Sequence, residues 1–189
     1  MKCCRKEYPA PEIIDGTAYF VCIECGEVRE IENYRAYTPQ ERLDLFEREY
    51  GLKIPSQYIN YAGTYSSHVI RLPKALSGTS NDYWGDGFHT IGDYLGLDSN
   101  EGRSIFDSGW LVDEWQLPEK LVLIEGDGHE WLALDYRNSL TEPKVIIIES
   151  DGCTYKIIAN SFTDFTDSLI EYERVYDNDG NIIYEESDT

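Results

Sequence analysis

Basic residues, imidazole and methionine are all scarce in this chain. Across 189 residues there are 16 Lys and Arg against 36 Asp and Glu, with three histidines and one methionine. The resulting formal charge of −20 creates a field that repels nucleic acid and anionic membrane and draws in basic proteins. Long apolar runs are also missing. Val145-Ile146-Ile147-Ile148 is strand-length only, far short of the roughly 20 residues of a membrane span. The opening MKCCRKEYPAPE has no apolar stretch, so no export signal is expected and the protein reads as cytoplasmic. Neither G-x-S-x-G nor G-x-x-x-x-G-K-[ST] occurs, which removes the usual signs of an α/β-hydrolase nucleophile and of a phosphate loop.

What the chain does have is aromatic mass and cysteine. Fifteen Tyr, four Trp and six Phe are ample for a packed core, unlike the aromatic-poor composition of disordered acidic chains. Five cysteines without an export signal favour reduced thiols or metal over disulfides. Cys22-Ile23-Glu24-Cys25-Gly26 lies between two strand-like runs and has the form of a zinc knuckle, in which glycine lets backbone N–H groups turn toward the sulfurs. The first pair, Cys3-Cys4, is adjacent rather than spaced. The expectation is one structural Zn²⁺ held by Cys3, Cys4, Cys22 and Cys25; three thiolates with a fourth ligand from elsewhere, or free thiols, are the alternatives. Cys153 reads as a structural thiol.

Residues 1–36 therefore form a candidate cysteine ribbon, 37–176 a main domain, and 177–189 a turn and acidic tail. The main domain opens on Thr38-Pro39-Gln40-Glu41, a capping box with proline at the first helical position. Leu43, Phe46 and Tyr50 then share one face before Gly51 stops the helix. A second short helix is expected from Ser56 to Gly63, a strand at Val69–Leu72, and further short helices over Thr90–Leu95 and within Ser99–Asp107. The last third predicts strands at Leu121–Ile124, Trp131–Tyr136, Val145–Ile148 and Thr154–Ala159, the last two joined by a turn at Ser150-Asp151-Gly152. In the second of these, Leu132, Leu134 and Tyr136 alternate with Trp131, Ala133 and Asp135. Ser161 should cap a closing helix with Phe165, Leu169 and Tyr172 or Tyr176 inward. Asp177 to Asn181 reads as a turn and not a calcium loop, because the glycine comes too early and the twelfth position holds no glutamate. The fold class is α+β, with an antiparallel or mixed sheet and flanking helices.

Two glycine-flanked aspartates stand near histidines, in Gly85-Asp86-Gly87-Phe88-His89 and in Gly126-Asp127-Gly128-His129-Glu130-Trp131. A metal-dependent hydrolase would require His89, Asp86, His129 and Asp127 to converge within a few ångströms. The competing reading is a hairpin turn, since Asp-Gly between strand-like runs marks positive φ. The residues offer no positive case for an enzyme, and no catalytic residue is assigned.

The run Trp115 to Arg137, WQLPEKLVLIEGDGHEWLALDYR, resembles the signature of the Smi/Knr-like domains of the SUKH superfamily: L-P, a strand, a G-D-G turn, a strand with an aromatic, then L-D-Y-R. FEREYGLKIP at 46–55 is similar to the opening helix and its following proline, ANSFTDF at 159–165 to the final helix start, and WGDG at 84–87 to the bacterial branch. The resemblance covers residues 38 to 175 or so. It implies helices against a curved sheet and a non-enzymatic role: an immunity protein that binds and neutralises a toxin, often a nuclease. Fungal relatives imply the alternative of a regulatory scaffold for cell-wall synthesis. A nuclease must be basic to hold phosphate, so an acidic inhibitor suits its cleft. Exposed aromatics ringed by acids would anchor such a partner. The candidates are Trp84, Asp86, Trp110, Asp113, Glu114, Asp127, Glu130 and Trp131; for several of these tryptophans core packing is the competing reading, and for Trp131, on a strand, it is the better one.

Overall fold

Thr38 starts the main body with the reciprocal bonds of a capping box. Its hydroxyl accepts the Glu41 N–H, and the Glu41 carboxylate accepts the Thr38 N–H, so two donors at the helix start are satisfied together. Helix α1 (Pro39–Tyr50) follows and ends at Gly51, which takes the left-handed conformation at φ 68° and donates its N–H to the Glu47 carbonyl. Leu43 and Phe46 turn inward. These details come from a computed structural model, which describes residues 12–14, 17–22, 25–30, 37–73, 87–98 and 103–185.

Ahead of α1, β1 (Glu12–Ile14), β2 (Thr17–Val21) and β3 (Val28–Glu30) form an antiparallel meander. The turn between β2 and β3 is closed by Gly26 N–H on the Cys22 carbonyl at 2.8 Å and by Cys22 N–H on the Glu27 carbonyl at 2.9 Å.

A three-stranded sheet sets β4 (His68–Arg71) between β10 (Leu169–Glu171) and β5 (Phe88–Thr90). It joins an early strand to a late one and so closes the domain. The helix expected over Thr90–Leu95 is not there. Thr90 ends β5, and the backbone beyond it finds distant partners: Ile91 N–H bonds His68, Tyr94 N–H bonds Thr64, and Leu95 N–H bonds Ile124. Those long-range bonds override a local helical pattern. The expected closing helix is likewise broken. Helix α3 (Phe162–Asp167) is capped by Ser161 and buries Phe162 and Phe165. The chain then extends into β10 to pair with β4, and only Tyr172–Val175 coils again as α4, with Val175 buried and Tyr172 exposed. The segment after Pro55 is a 3₁₀ turn, Ser56–Asn60, and not a helix to Gly63. Within the expected short helix of Ser99–Asp107, Ile105–Asp107 is a 3₁₀ turn, and it leads directly into α2 (Ser108–Glu114), where no helix is expected.

The second sheet is an antiparallel meander of β6 (Leu121–Gly126), β7 (Glu130–Asp135), β8 (Lys144–Glu149) and β9 (Tyr155–Ala159). Trp131 through Tyr136 are all buried, so the alternating faces of β7 are both covered and neither meets water. In β6 the register slips by one residue: Leu123 lies opposite Ala133, but Glu125 lies opposite Leu132. Ile124 is the extra residue of this β-bulge. Its carbonyl accepts from Leu95 N–H at 2.8 Å and faces the buried Tyr58 hydroxyl at 3.4 Å; that hydroxyl also donates to the Leu95 carbonyl at 2.6 Å. The architecture is α+β, with short helices packed on antiparallel sheets. No helix among the described residues is long and apolar enough to cross a membrane.

Candidate partner-binding surface

Helix α2 carries three of the residues that the sequence offers for a partner. Leu111 and Val112 face the core, which leaves two adjacent outer rows, Gly109 with Asp113 and Trp110 with Glu114, each spaced four apart as helical neighbours. Trp110 is 54% exposed, and its indole N–H points to the Asp107 carboxylate at 3.4 Å. Asp113 and Glu114 are exposed beside it. An exposed tryptophan hemmed by carboxylates is a suitable anchor for a cationic partner.

The far end of α2 is tied to the β6–β7 hairpin. Trp115 packs on His129 with ring centroids 6.0 Å apart and covers Gly128 so closely that a Cβ there would lie 2.3 Å from the indole. Gly126 and Gly128 adopt φ of 143° and 113°, which makes Gly126-Asp127-Gly128 a hairpin turn that needs both glycines. Asp127 is exposed at its tip, with Oδ1 accepting the His129 N–H at 3.0 Å.

Glu130 and Trp131 do not join this surface. Trp131 is completely buried, because it starts a strand whose two faces are both covered. Glu130 is turned inward to His89, whose Nδ1–H donates to Glu130 Oε1 at 2.8 Å, while His89 Nε2 lies 3.6 Å from Glu125 Oε2. The first is a hydrogen bond; the second is too long for one and acts as an ion pair. Burial disfavours charge on this imidazole, but the carboxylates of Glu125 and Glu130 outweigh it and raise its pKa to about 9. His89 is thus a cation between two acids, joining β5 to the β6–β7 hairpin and so one sheet to the other.

That pairing also separates the groups a hydrolase would need. His89 is occupied with two glutamates, whereas Asp127 and His129 sit exposed at the hairpin tip. No group of three His, Cys, Asp or Glu among the described residues could hold a metal ion. Asp86 and Trp84 lie outside the described residues, as do Cys3 and Cys4; Cys22 is buried and Cys25 exposed at the β2–β3 turn. Sequence reasoning missed the His89 cluster, whose members are separated by about forty positions, and it missed the helical state of α2.

A family model described as SMI1 / KNR4 family (SUKH-1) matches residues 38–168. No curated protein and no solved structure matches.

Proposed function

The chain belongs to the SMI1/KNR4 family (SUKH-1), and from that membership we propose that it is a non-enzymatic immunity protein that binds and neutralises a basic toxin. The family match over residues 38–168 is the observation that carries this reading. The charge of −20 supports it, since complementary charge speeds association and suppresses wrong partners. Exposed Trp110 among Asp107, Asp113 and Glu114 provides an anchor of the kind that concentrates interface energy. A nuclease is the preferred class of toxin because its phosphate-binding cleft is basic. Neutralisation would take place in the cytoplasm of the protected cell.

Co-expression with the toxin encoded beside this chain tests the reading. The expected results are survival of the host and a stoichiometric complex on gel filtration. A host that dies despite abundant folded protein, with no complex recovered, would overturn it.

The glycine-closed turn carrying Cys22 and Cys25 supports a second, separable proposal: one structural Zn²⁺, with Cys3 and Cys4 completing four thiolate ligands. Elemental analysis of purified protein should find about one zinc per chain. Metal-free protein with fully titratable thiols would refute it.

A further inference from the structure

An open groove of about 590 Å³ lies between α1 and α2, beside the Trp110–Glu114 row but on its other side. Its exposed apolar surface comes from Tyr50 at the end of α1, Leu52 just beyond it, and Leu140 from the β7–β8 connection, over the buried side chains of Phe46 and Val112. Tyr50 and Leu140 are 39% and 50% exposed, so the groove shows water an aromatic edge and an aliphatic side chain together. Asp113 and Glu119 line it, against one cation among its described lining residues, Lys120. The field there is negative beyond these two acids. Burial raises the Tyr50 pKa, and the charges of Glu49 and Asp107 raise it further.

Gly109 on the groove wall has no internal explanation. Its φ is not in the left-handed range, and a Cβ added to it would meet nothing within 4 Å. Gly109 is the second residue of α2, and glycine there costs some part of the roughly 1 kcal/mol that it costs in a helix interior relative to alanine. At this position the cost secures neither a turn nor tight packing within the molecule. What glycine does leave is bare helical backbone along the groove, where a second chain can approach closely.

We propose that this groove receives a segment of the basic partner that combines aliphatic side chains with Arg or Lys, its backbone passing over Gly109. The aliphatic groups pack against Tyr50, Leu52 and Leu140, and the cations reach Asp113 and Glu119. This rests on the immunity reading for the identity of the partner, but the groove can be tested without it.

The test titrates isotope-labelled full-length protein with a short amphipathic peptide of leucine and arginine at helical spacing. Amide shifts should be confined to Phe46–Leu52, Ser108–Val122 and Leu140. Gly109→Gln should leave the protein at least as heat-stable as the parent while weakening peptide binding roughly tenfold, and Asp113→Lys should weaken it comparably. Glu173→Lys, a charge reversal of the same size on exposed α4, should change affinity by less than about twofold. Shifts spread over the acidic surface, or equal losses from Glu173→Lys and Asp113→Lys, would overturn the groove in favour of diffuse attraction. In co-expression with the toxin, protection that survives Gly109→Gln also counts against the groove while leaving the immunity reading intact. Failure of the unaltered protein to protect counts against that reading, and the peptide result still decides the groove.

Discussion

Replacing His89 with glutamine should alter how stability responds to alkali, and the size of the effect follows from its two partners. In the folded protein the His89 pKa stands at about 9 against an ordinary value of 6.5. Because the folded value is the higher one, the proton stabilises the fold fully below pH 6.5. That contribution is lost progressively as pH rises through the folded pKa. The interval corresponds to about 3 kcal/mol at most. With a side chain only 13% exposed, the group is little screened by solvent. Urea denaturation at several pH values between about 6 and 10, run in parallel on His89→Gln, isolates this term because all other titrating groups are shared. The parent should exceed the variant most at the acid end, and the gap should shrink steadily until it levels off above about pH 9. In glutamine's presence Glu125 and Glu130 face each other without a cation, so the variant should be the less stable protein near neutrality. A gap independent of pH, or an imidazole resonance titrating near the ordinary histidine value, would refute the ion triad.

Three further substitutions probe the scaffold. Gly128→Ala places a Cβ 2.3 Å from the Trp115 ring at φ 113°, so it should cost at least about 2 kcal/mol in denaturant stability and shift tryptophan emission. Tyr58→Phe removes the buried hydroxyl that donates to the Leu95 carbonyl and should cost about 1–2 kcal/mol by the same measurement. Thr38→Ala deletes the cap of α1 and should lower stability by about 1 kcal/mol; a null effect would mean the capping bonds are redundant with water.

How far the fold was legible depended on how local its causes are. Thr38, Pro39, Glu41 and Gly51 bound α1 through contacts within a few residues, so the pattern predicts its limits closely. The same holds for the Gly126-Asp127-Gly128 turn and the hydrophobic strands β6 to β9. Elements with distant causes were misread. Thr90–Leu95 looks helical by composition, yet its N–H groups are taken by His68, Thr64 and Ile124. Leu169–Glu171 continues a helical pattern but is claimed by β4. Gly109 hides α2 because glycine lowers helical propensity at its start, although the Ser104–Asp107 capping box lies just ahead of it. Of the candidate surface, Trp110, Asp113 and Glu114 were legible as exposed residue types, but not as members of one helix. Trp131 was legible as a core residue from its place on a strand, and it is completely buried; that both faces of β7 are covered depends on what packs over the sheet. The inward turn of Glu130 depends on His89, which the sequence places beside a different aspartate.

The single extra residue in β6 has an effect out of proportion to its size. Side chains along a regular strand keep alternate time, and in that rhythm Glu125 would sit opposite Trp131, on the face away from Glu130. Ile124 inserts half a beat: Glu125 instead falls opposite Leu132 and onto the same side as Glu130, two positions along β7. Both acids then converge on one imidazole. The displaced carbonyl of Ile124, released from the regular ladder, becomes a socket for Leu95 and Tyr58. One syncopated residue therefore supplies the backbone fastening without disturbing the charge clamp, so a deletion at Ile124 would remove the socket for Leu95 and Tyr58 while leaving Glu125 opposite Leu132 and beside Glu130.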